Sequence, residues 1–214
     1  MKWLNYFSNA NIPYYIYKLS KNDSLILNSK LNKDQSFIIL NGIIFIIKIF
    51  KNKQIFPVII LNKNSIVNLQ YNHINSNYYY KLVALKKAYI LSFSYKNLKS
   101  TKKINTEMLY DIISGYHMTL KKYELINNIL VHKLAKNRII KLILFLSLEF
   151  GNIYNKEIII PFSLSQEKLA LITKSNKITV NKLINHLNKE KIIKYSYQKI
   201  IHITNINKLI SLIY

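Results

Sequence analysis

The first hundred residues alternate short apolar segments with polar turns, a pattern typical of antiparallel β-strands. These segments are rich in β-branched and aromatic residues, and Gly42 inside the first long one predicts a bend or a bulge. Several short strands joined by polar turns favour an antiparallel β-barrel of the jelly-roll type. The strands that this pattern predicts cover residues 36–50, 55–61, 78–85 and 88–94.

From residue 104 the apolar positions recur every three or four residues, which indicates an α-helix. The row begins at Ile104 and Met108 and reaches Leu134 without a proline. Such a helix is about 45 Å long, more than a compact small domain needs, and a second apolar row widens its face. We therefore predict a dimerisation helix over 104–136, with an ordinary core helix as the alternative. Gly115 within it predicts a close approach of another backbone.

A helix-turn-helix is predicted in the last third of the chain. Ser165 can cap a helix over 165–172, where Glu167 in the first turn favours the helix dipole. After a turn of three or four residues, a second helix runs from about 176 to 189, a spacing typical of the helix-turn-helix. A hairpin over 192–203 follows, so the pattern predicts a winged helix.

One more helix is predicted directly before this motif, with Asn137 as its N-cap and Gly151 as its stop. The predicted fold class is therefore α+β in three parts. These parts are a β-barrel domain over 1–103, the dimerisation helix over 104–136 and a DNA-binding winged helix over 137–214.

The second helix of the motif presents the candidate DNA-binding residues. Val180, Ile184 and Leu187 fall on one side with Leu183, and polar residues with one isoleucine fall on the other. Asn can pair with adenine, Lys can donate to guanine and Ile can meet a thymine methyl. A solvated amphipathic helix is the alternative; the hairpin after it favours DNA binding, because its polar residues would lie near phosphates. The DNA-binding residues predicted are Ser165, Asn176, Lys177, Ile178, Asn181, Lys182, Asn185 and Lys199, with Lys194, Tyr197 and Gln198 as further wing residues.

Composition weakens the case that net charge makes for a nucleic-acid surface. The formal charge is +23, yet the chain holds 39 Ile, 31 Lys, 27 Asn and a single arginine, as A/T-rich codons would produce. The charge is +15 over residues 1–136 and +8 over 137–214, so it is nearly uniform per residue and locates no binding surface. A non-specific DNA-packaging protein is the alternative function that +23 suggests.

Several classes of protein and of binding site are excluded or disfavoured. Three glycines and no cysteine exclude a P-loop, a dinucleotide fingerprint and a thiolate metal site, and the histidines lack ligand spacing, so no metal is predicted. Glu107 and Asp111 on the long helix suit solvated carboxylates better than an acid–base pair, and no enzyme is predicted. No apolar run is long enough to span a membrane, and no membrane partner is expected.

The motif resembles the Crp/Fnr family of transcription regulators. The resemblance lies in LSQEKLA from Leu164, KITVNKL from Lys177 and LNKEKII from Leu187. It extends to the helix NRIIKLILFLSLEFG from Asn137 and to FIILNGI from Phe37 in the barrel, so it covers most of the chain in one order. Within the family the likeness is to the nitrogen-control branch of cyanobacteria and some plastid genomes.

The resemblance implies a homodimeric, sequence-specific activator that works with RNA polymerase on double-stranded DNA. The family's base-reading arginines fall on Lys177 and Lys182, and a lysine cannot reproduce their bidentate fork. The family's turn glycine falls on Lys174, which should cost about 1 kcal/mol if φ there is positive. The lack of a transit-type segment at the start, together with the A/T-type composition, leads us to expect a protein encoded and made in a plastid.

The resemblance also implies an effector pocket between the barrel and the long helix, around Val67, Asn68 and Leu69. The branch's effector is 2-oxoglutarate; the two arginines that hold it fall on Tyr78 and Thr119, and its glutamate falls on Glu124. A dianion loses its main partners without those guanidinium groups, although Lys81, Lys121 or Lys122 could supply positive charge. The Gly-Glu pair and the phosphate-binding arginine of cyclic-nucleotide members are missing, which rejects cyclic AMP. 2-oxoglutarate is left open as an effector, and no other cofactor is predicted.

Overall fold

The computed structural model describes residues 2–27, 34–69, 77–101 and 103–213. The chain forms two compact units, divided between Tyr123 and Glu124. The elements of the first unit are α1 (Lys2–Asn9), β1 (Tyr14–Leu19), β2 (Ser24–Leu27), β3 (Gln35–Phe50), β4 (Ile55–Leu61), β5 (Ile66–Asn68), β6 (Tyr78–Ser94), α2 (Tyr95–Ser100) and most of α3 (Thr106–Leu130).

Six antiparallel strands make one sheet in the first unit, in the order β1-β6-β3-β4, with β2 paired to β6 and β5 paired to β3. Side chains from all six strands form one buried apolar cluster. The predicted antiparallel, jelly-roll-like fold is confirmed. Closure into a barrel is not, because β1 and β4, at the two ends of this order, do not pair with each other within the described residues.

Gly42 bends β3 where the sequence predicts it. Its φ is +89°, and a Cβ there would collide with the carbonyl oxygen of Lys87. The register between β3 and β6 shifts around this glycine. The two strands predicted over 78–85 and 88–94 are in fact the single strand β6, because the exposed Lys86 and Lys87 lie in this irregular stretch without ending the pairing.

Two short helices, α1 and α2, occupy a region predicted to contain strands only, so that prediction is wrong there. Helix α1 buries Trp3, Tyr6 and Phe7, whose three-to-four spacing is a helical signal. These side chains pack with Met108 and Ile112 of α3 in a second apolar cluster, which also includes residues of the sheet.

Helix α3 packs closely on the sheet at its glycine. A Cβ on Gly115 would lie 2.5 Å from Cγ1 of Ile66 and 2.8 Å from the carbonyl oxygen of Asn64. The predicted close approach of another backbone is therefore confirmed. Thr119 strengthens the same contact, since its Oγ1 donates to the carbonyl oxygen of Ile66 at 2.7 Å.

Helix α3 ends at Leu130, not at residue 136. Leu134 has extended backbone angles (φ −77°, ψ 124°) and takes the N-cap position of the next helix, which begins at Ala135. The predicted N-cap at Asn137 is therefore wrong, because Asn137 lies in the first turn of that helix. The 25 residues of α3 make it about 37 Å long.

The second unit is a winged helix-turn-helix, as predicted. Its small sheet has the antiparallel order β7-β8-β10-β9. The elements are α4 (Ala135–Phe150), β7 (Asn152–Tyr154), β8 (Glu157–Ile159), α5 (Gln166–Thr173), α6 (Lys177–Lys189), β9 (Ile193–Tyr195), β10 (Ile201–Ile203) and α7 (Ile206–Ser211).

Candidate DNA-binding surface

Helix α5 begins at the cap that the sequence predicts. Ser165 has an extended backbone, and its Oγ accepts a hydrogen bond from the backbone N–H of Lys168 at 3.2 Å. Leu169 and Ala170 on the same helix are buried. Because the oxygen of Ser165 serves the helix, a contact of this residue with DNA stays a prediction.

The turn between α5 and α6 has a left-handed residue, Lys174. Its φ is 48° and its ψ is 47°. The backbone N–H of Ser175 donates to the carbonyl oxygen of Ala170 at 2.9 Å, which closes the turn as a Schellman motif. A residue with a Cβ costs about 1 kcal/mol more than glycine in this conformation.

Helix α6 separates its faces as helical geometry predicts. Val180, Ile184 and Leu187 are fully buried. The opposite face is open to solvent, and Ile178 on it is 63% exposed. The predicted residues that share this exposed face are Lys177, Ile178, Asn181, Lys182 and Asn185. Asn176 is the N-cap, and its Oδ1 accepts from the backbone N–H of Ile178 at 2.8 Å.

An amide network orients the centre of this face. Oδ1 of Asn181 accepts hydrogen bonds from Nε2 of Gln166 at 3.2 Å and from Nδ2 of Asn185 at 2.9 Å. The acceptor of Asn181 is thus occupied, and its NH₂ group is the part it presents to a ligand. A bidentate pair between Asn181 and adenine needs both groups, so it requires that this network open. Gln166 was not among the predicted residues.

Lys177 is held by a carboxylate of the preceding helix. Its Nζ lies 2.5 Å from Oε1 of Glu167, and both side chains are more than half exposed. The hydrogen bond from Lys177 lowers the pKa of Glu167 to about 2, with help from the backbone N–H of Glu167 and from Ser165. Lys177 must leave this partner to reach a phosphate or a base.

The wing presents its tip to solvent. Tyr197 is fully exposed, and Gln198 and Lys199 are exposed beside it. Lys199 has a φ of 61°, and its carbonyl oxygen accepts from the backbone N–H of Leu164 at 2.7 Å, which ties the wing to the segment before α5. Lys194 forms an ion pair with Glu157, so its charge is already partnered.

The residues predicted to bind an effector have different surroundings, and their role stays a prediction. Val67 and Leu69 lie in the core of the first unit. Oδ1 of Asn68 is buried and has no hydrogen-bond partner among the described residues. Glu124 is exposed and belongs to the second unit.

Polar groups near those positions bind the protein itself. Thr119 donates to the backbone of β5, as described above, and the buried Lys122 donates to Oδ1 of Asn62. Lys122 also lies 3.5 Å from Oγ of Ser65. The ring of Tyr78 is covered by Lys48, whose Nζ lies 3.6 Å from the ring centroid. These groups therefore contribute to the cohesion of the first unit.

The carboxylates weighed as an acid–base pair form an ion cluster instead. Nζ of Lys2 lies 3.1 Å from Glu107 and 2.7 Å from Asp111. Among the described residues no group of histidines and carboxylates could hold a metal ion. In that same part of the chain, no helix is long and apolar enough to cross a membrane.

Comparison with protein families and known proteins identifies the second unit. The family of Crp-like helix-turn-helix domains matches residues 137–212. The protein ycf28 of Porphyra purpurea, named as an HTH-type transcriptional regulator, is 28% identical over 202 residues, which are 93% of this chain and 82% of that one. The global nitrogen regulator of a Nostoc species is 22% identical over 169 residues, covering 78% and 76% of the two chains.

The fold of the whole chain also has solved counterparts. The crystal structure of a CRP-family transcriptional regulator from Thermus thermophilus matches with a TM-score of 0.72, covers 92% of this chain and 96% of its own, and is 13% identical. At that identity the likeness concerns the fold. The winged helix-turn-helix and these matches define a DNA-binding transcription regulator. Residues 137–212 match the Crp-like helix-turn-helix domain, and the fold of the chain is similar to that of a CRP-family regulator.

Proposed function

We propose that α6 reads specific DNA sequences from the major groove. The observation that carries this proposal is the exposed face of α6, where lysines and asparagines surround one exposed isoleucine directly after a helix-turn-helix turn. Lys182 donates to a base edge, Ile178 meets a thymine methyl and the NH₂ group of Asn181 donates to a base acceptor. Phosphates are held by the helix starts at Ser165 and Asn176, by Lys177 and Asn185, and by Lys199 of the wing.

The protein acts as a homodimer through α3 in this proposal. An apolar stripe on α3 stays open to solvent in the single chain: Tyr110 is 71% exposed, Ile113 60% and Leu120 66%. A core helix would bury such residues, and a second copy of the helix supplies the missing cover. Two winged helices would then read half-sites about one helical turn apart. Ile113→Glu should convert the dimer to a monomer in sedimentation experiments.

The relatives support a more specific proposal about the function. We propose a nitrogen-control activator that recruits RNA polymerase and is encoded and made in a plastid. The names of the Nostoc and Porphyra purpurea relatives support this proposal, as does the A/T-type composition. Genome-wide binding in the native compartment, with nitrogen supplied and withheld, tests it; targets unrelated to nitrogen metabolism would contradict it.

Control by 2-oxoglutarate is absent in this proposal, and so is control by cyclic AMP. Thr119 and Tyr78 stand where guanidinium groups would hold the dianion, and Thr119 and Lys122 already bind the sheet. The buried acceptor of Asn68 would repel a carboxylate. DNA affinity should be the same with and without 2-oxoglutarate; an increase would contradict this statement.

Selection from random A/T-rich DNA, followed by footprinting of the selected sites, tests the central proposal. We expect a two-fold symmetric site bound at least about 10³-fold more tightly than mixed-sequence DNA. A packaging protein would instead bind every sequence with the same steep dependence on salt. Selection that enriches no symmetric site would refute sequence-specific reading.

A further inference from the structure

The single arginine of the chain, Arg138, lies near the start of α4 and uses every donor it has. Its Nε donates to the carbonyl oxygen of Thr173 at 2.8 Å. Its Nη1 donates to the carbonyl oxygens of His132 and Lys133 at 2.8 and 2.9 Å. Its Nη2 donates to the carbonyl oxygen of Lys174 at 3.2 Å and to Oγ of Ser175 at 3.3 Å.

A guanidinium group has five N–H donors, and in Arg138 all five donate to acceptors within the protein. None is left for a phosphate, a base or an anionic effector unless one of these bonds breaks. The only residue of the chain with the fork that suits phosphate is thus engaged in structure.

Three of the acceptors belong to the helix-turn-helix turn. They are consecutive residues, Thr173 to Ser175, and the middle one is the left-handed Lys174. Ser175 is followed at once by Asn176, the N-cap of α6. The direction in which α6 leaves the turn is set by these backbone angles, so a guanidinium group that fixes the turn also fixes α6.

The other two acceptors belong to the connector between α3 and α4. The carbonyl oxygens of His132 and Lys133 lie outside both helices and would otherwise lack a helical partner. One planar group thus holds the connector and the turn in a single arrangement. An ammonium group has three donors on a flexible stem and cannot satisfy five acceptors, which accounts for an arginine here in a chain that uses lysine elsewhere.

We propose that Arg138 is the positioning residue of the DNA-reading unit: it locks the strained turn at Lys174 and so aims α6 at the base edges without touching DNA. The proposal rests on the proposed sequence-specific function. It differs from the ordinary expectation for an arginine in a DNA-binding protein, which is a phosphate contact.

Arg138→Lys in the full chain tests the proposal, because it keeps the charge and removes the fork. We expect affinity for the selected site to fall at least about tenfold, while affinity for mixed-sequence DNA stays within about twofold and keeps its salt slope. A phosphate contact would lower both affinities together and reduce the salt slope by about one. That result, or an affinity ratio equal to that of the wild type, would overturn the proposal.

A second pair of variants separates positioning from a simple loss of folding. Lys174→Gly removes the strain of a Cβ in the left-handed turn, so the turn should depend less on Arg138. The double variant should therefore recover an affinity ratio within about threefold of the wild type. A ratio that stays low although thermal melting shows a folded protein would contradict the mechanism. Lys136→Arg makes the reverse exchange at an exposed neighbour in α4 and should leave the affinity ratio unchanged.

Amide hydrogen exchange gives a readout that does not need a specific DNA site. In Arg138→Lys the N–H of Ser175 should exchange at least about tenfold faster, while amides in the buried middle of α4 keep their rates. If the wild type selects no DNA sequence, the proposed function fails and this measurement still decides the role of Arg138. Unchanged exchange at Ser175 would refute the positioning role by itself.

Discussion

On α6 of the second unit, polar side chains point to solvent, whereas on α3 of the first unit comparable side chains bind the sheet. Lys182 and Asn185 are exposed on α6. Thr119 on α3 donates to the backbone of Ile66, and Lys122 on the same helix is only 3% exposed and donates to Asn62. Both helices carry polar residues, but those of α6 are open to solvent and those of α3 bind other parts of the first unit.

The difference is that between a surface whose polar groups are available to a ligand and a packed surface whose polar groups stabilise the fold. A ligand-binding surface leaves donors unsatisfied until the ligand arrives, whereas a packed joint satisfies them internally, because buried polar groups without partners are costly. The lysines on the exposed face of α6 keep a positive charge at the proposed DNA surface. The threonine on α3 keeps none, and its hydroxyl has become part of the packing.

Gly115→Val should have the largest effect and should act on the first unit. The new side chain would meet Ile66 and the backbone of Asn64, since a Cβ alone would lie 2.5 and 2.8 Å from them. We expect the free energy of unfolding to fall by about 3 kcal/mol, as for an overpacked core. Thermal unfolding measures it.

Both variants are made in the monomeric Ile113→Glu background. There His117→Val is the matched control, because His117 is exposed on the same helix and histidine and valine have similar helix propensity. Its stability should change by less than about 0.5 kcal/mol. Equal losses in the two variants would mean that the joint between α3 and the sheet is loose, and the contrast between the units would fail.

Lys182→Ala tests the outward face. Loss of a base contact should cost about 1–3 kcal/mol at the selected DNA site and relax the preference at one position of each half-site. Binding to mixed-sequence DNA should fall only slightly. Lys189→Ala removes the same charge from the exposed last turn of α6 and should preserve the sequence preference. If both variants weaken all sequences equally, α6 contacts phosphates only.

The sequence was sufficient for α5 and α6 of the second unit because their signals are local. Caps at Ser165 and Asn176 and the spacing of Val180, Ile184 and Leu187 define two helices and their faces without any knowledge of the rest of the chain. In the first unit the same local reasoning split β6 at Lys86 and missed α1. There the outcome depends on pairing with β3 and on packing against α3, which a local pattern does not contain.

In the candidate site, too, the sequence predicts local features but not contacts between residues that are far apart in the chain. Helical periodicity predicts that Asn181 faces outward, but not that Gln166, fifteen residues earlier, occupies its acceptor. The partners of Arg138 lie up to 37 positions away. The composition shows that there is a single arginine, but only the structure of the turn at Lys174 shows which groups that arginine binds.

Lys174→Gly should stabilise the second unit by about 1 kcal/mol, because glycine adopts the left-handed conformation without the cost of a Cβ. Thermal or denaturant unfolding measures the change, and the affinity for the selected site should remain close to that of the wild type. Lys182→Gly makes the same exchange in the exposed middle of α6 and should destabilise by about 1 kcal/mol. The same sign in both variants would show that the turn is not strained.

Glu167→Gln should have the smallest effect on DNA affinity. It tests the contrast between α6 and α3, because one cation of α6, Lys177, is already paired with a carboxylate. Removing the carboxylate releases Lys177 from its partner at 2.5 Å and removes a negative charge from the DNA surface. Affinity for DNA should rise about two- to fivefold at low salt and less at high salt, as for an exposed ion pair. The same exchange of charge at a distant site, Glu149→Gln on α4, should leave affinity nearly unchanged.

Acid unfolding gives an independent check on the same carboxylate. Because the pKa of Glu167 is about 2 in the folded protein, below the unfolded value of about 4.3, its ion pair contributes stability in full above about pH 4.3. That contribution is lost as the pH falls toward about 2. The Gln variant lacks this part of the pH dependence, so its stability should converge with that of the wild type in acid. Curves that stay parallel down to that pH would show that Lys177 is not held by Glu167 in solution and is already available to DNA.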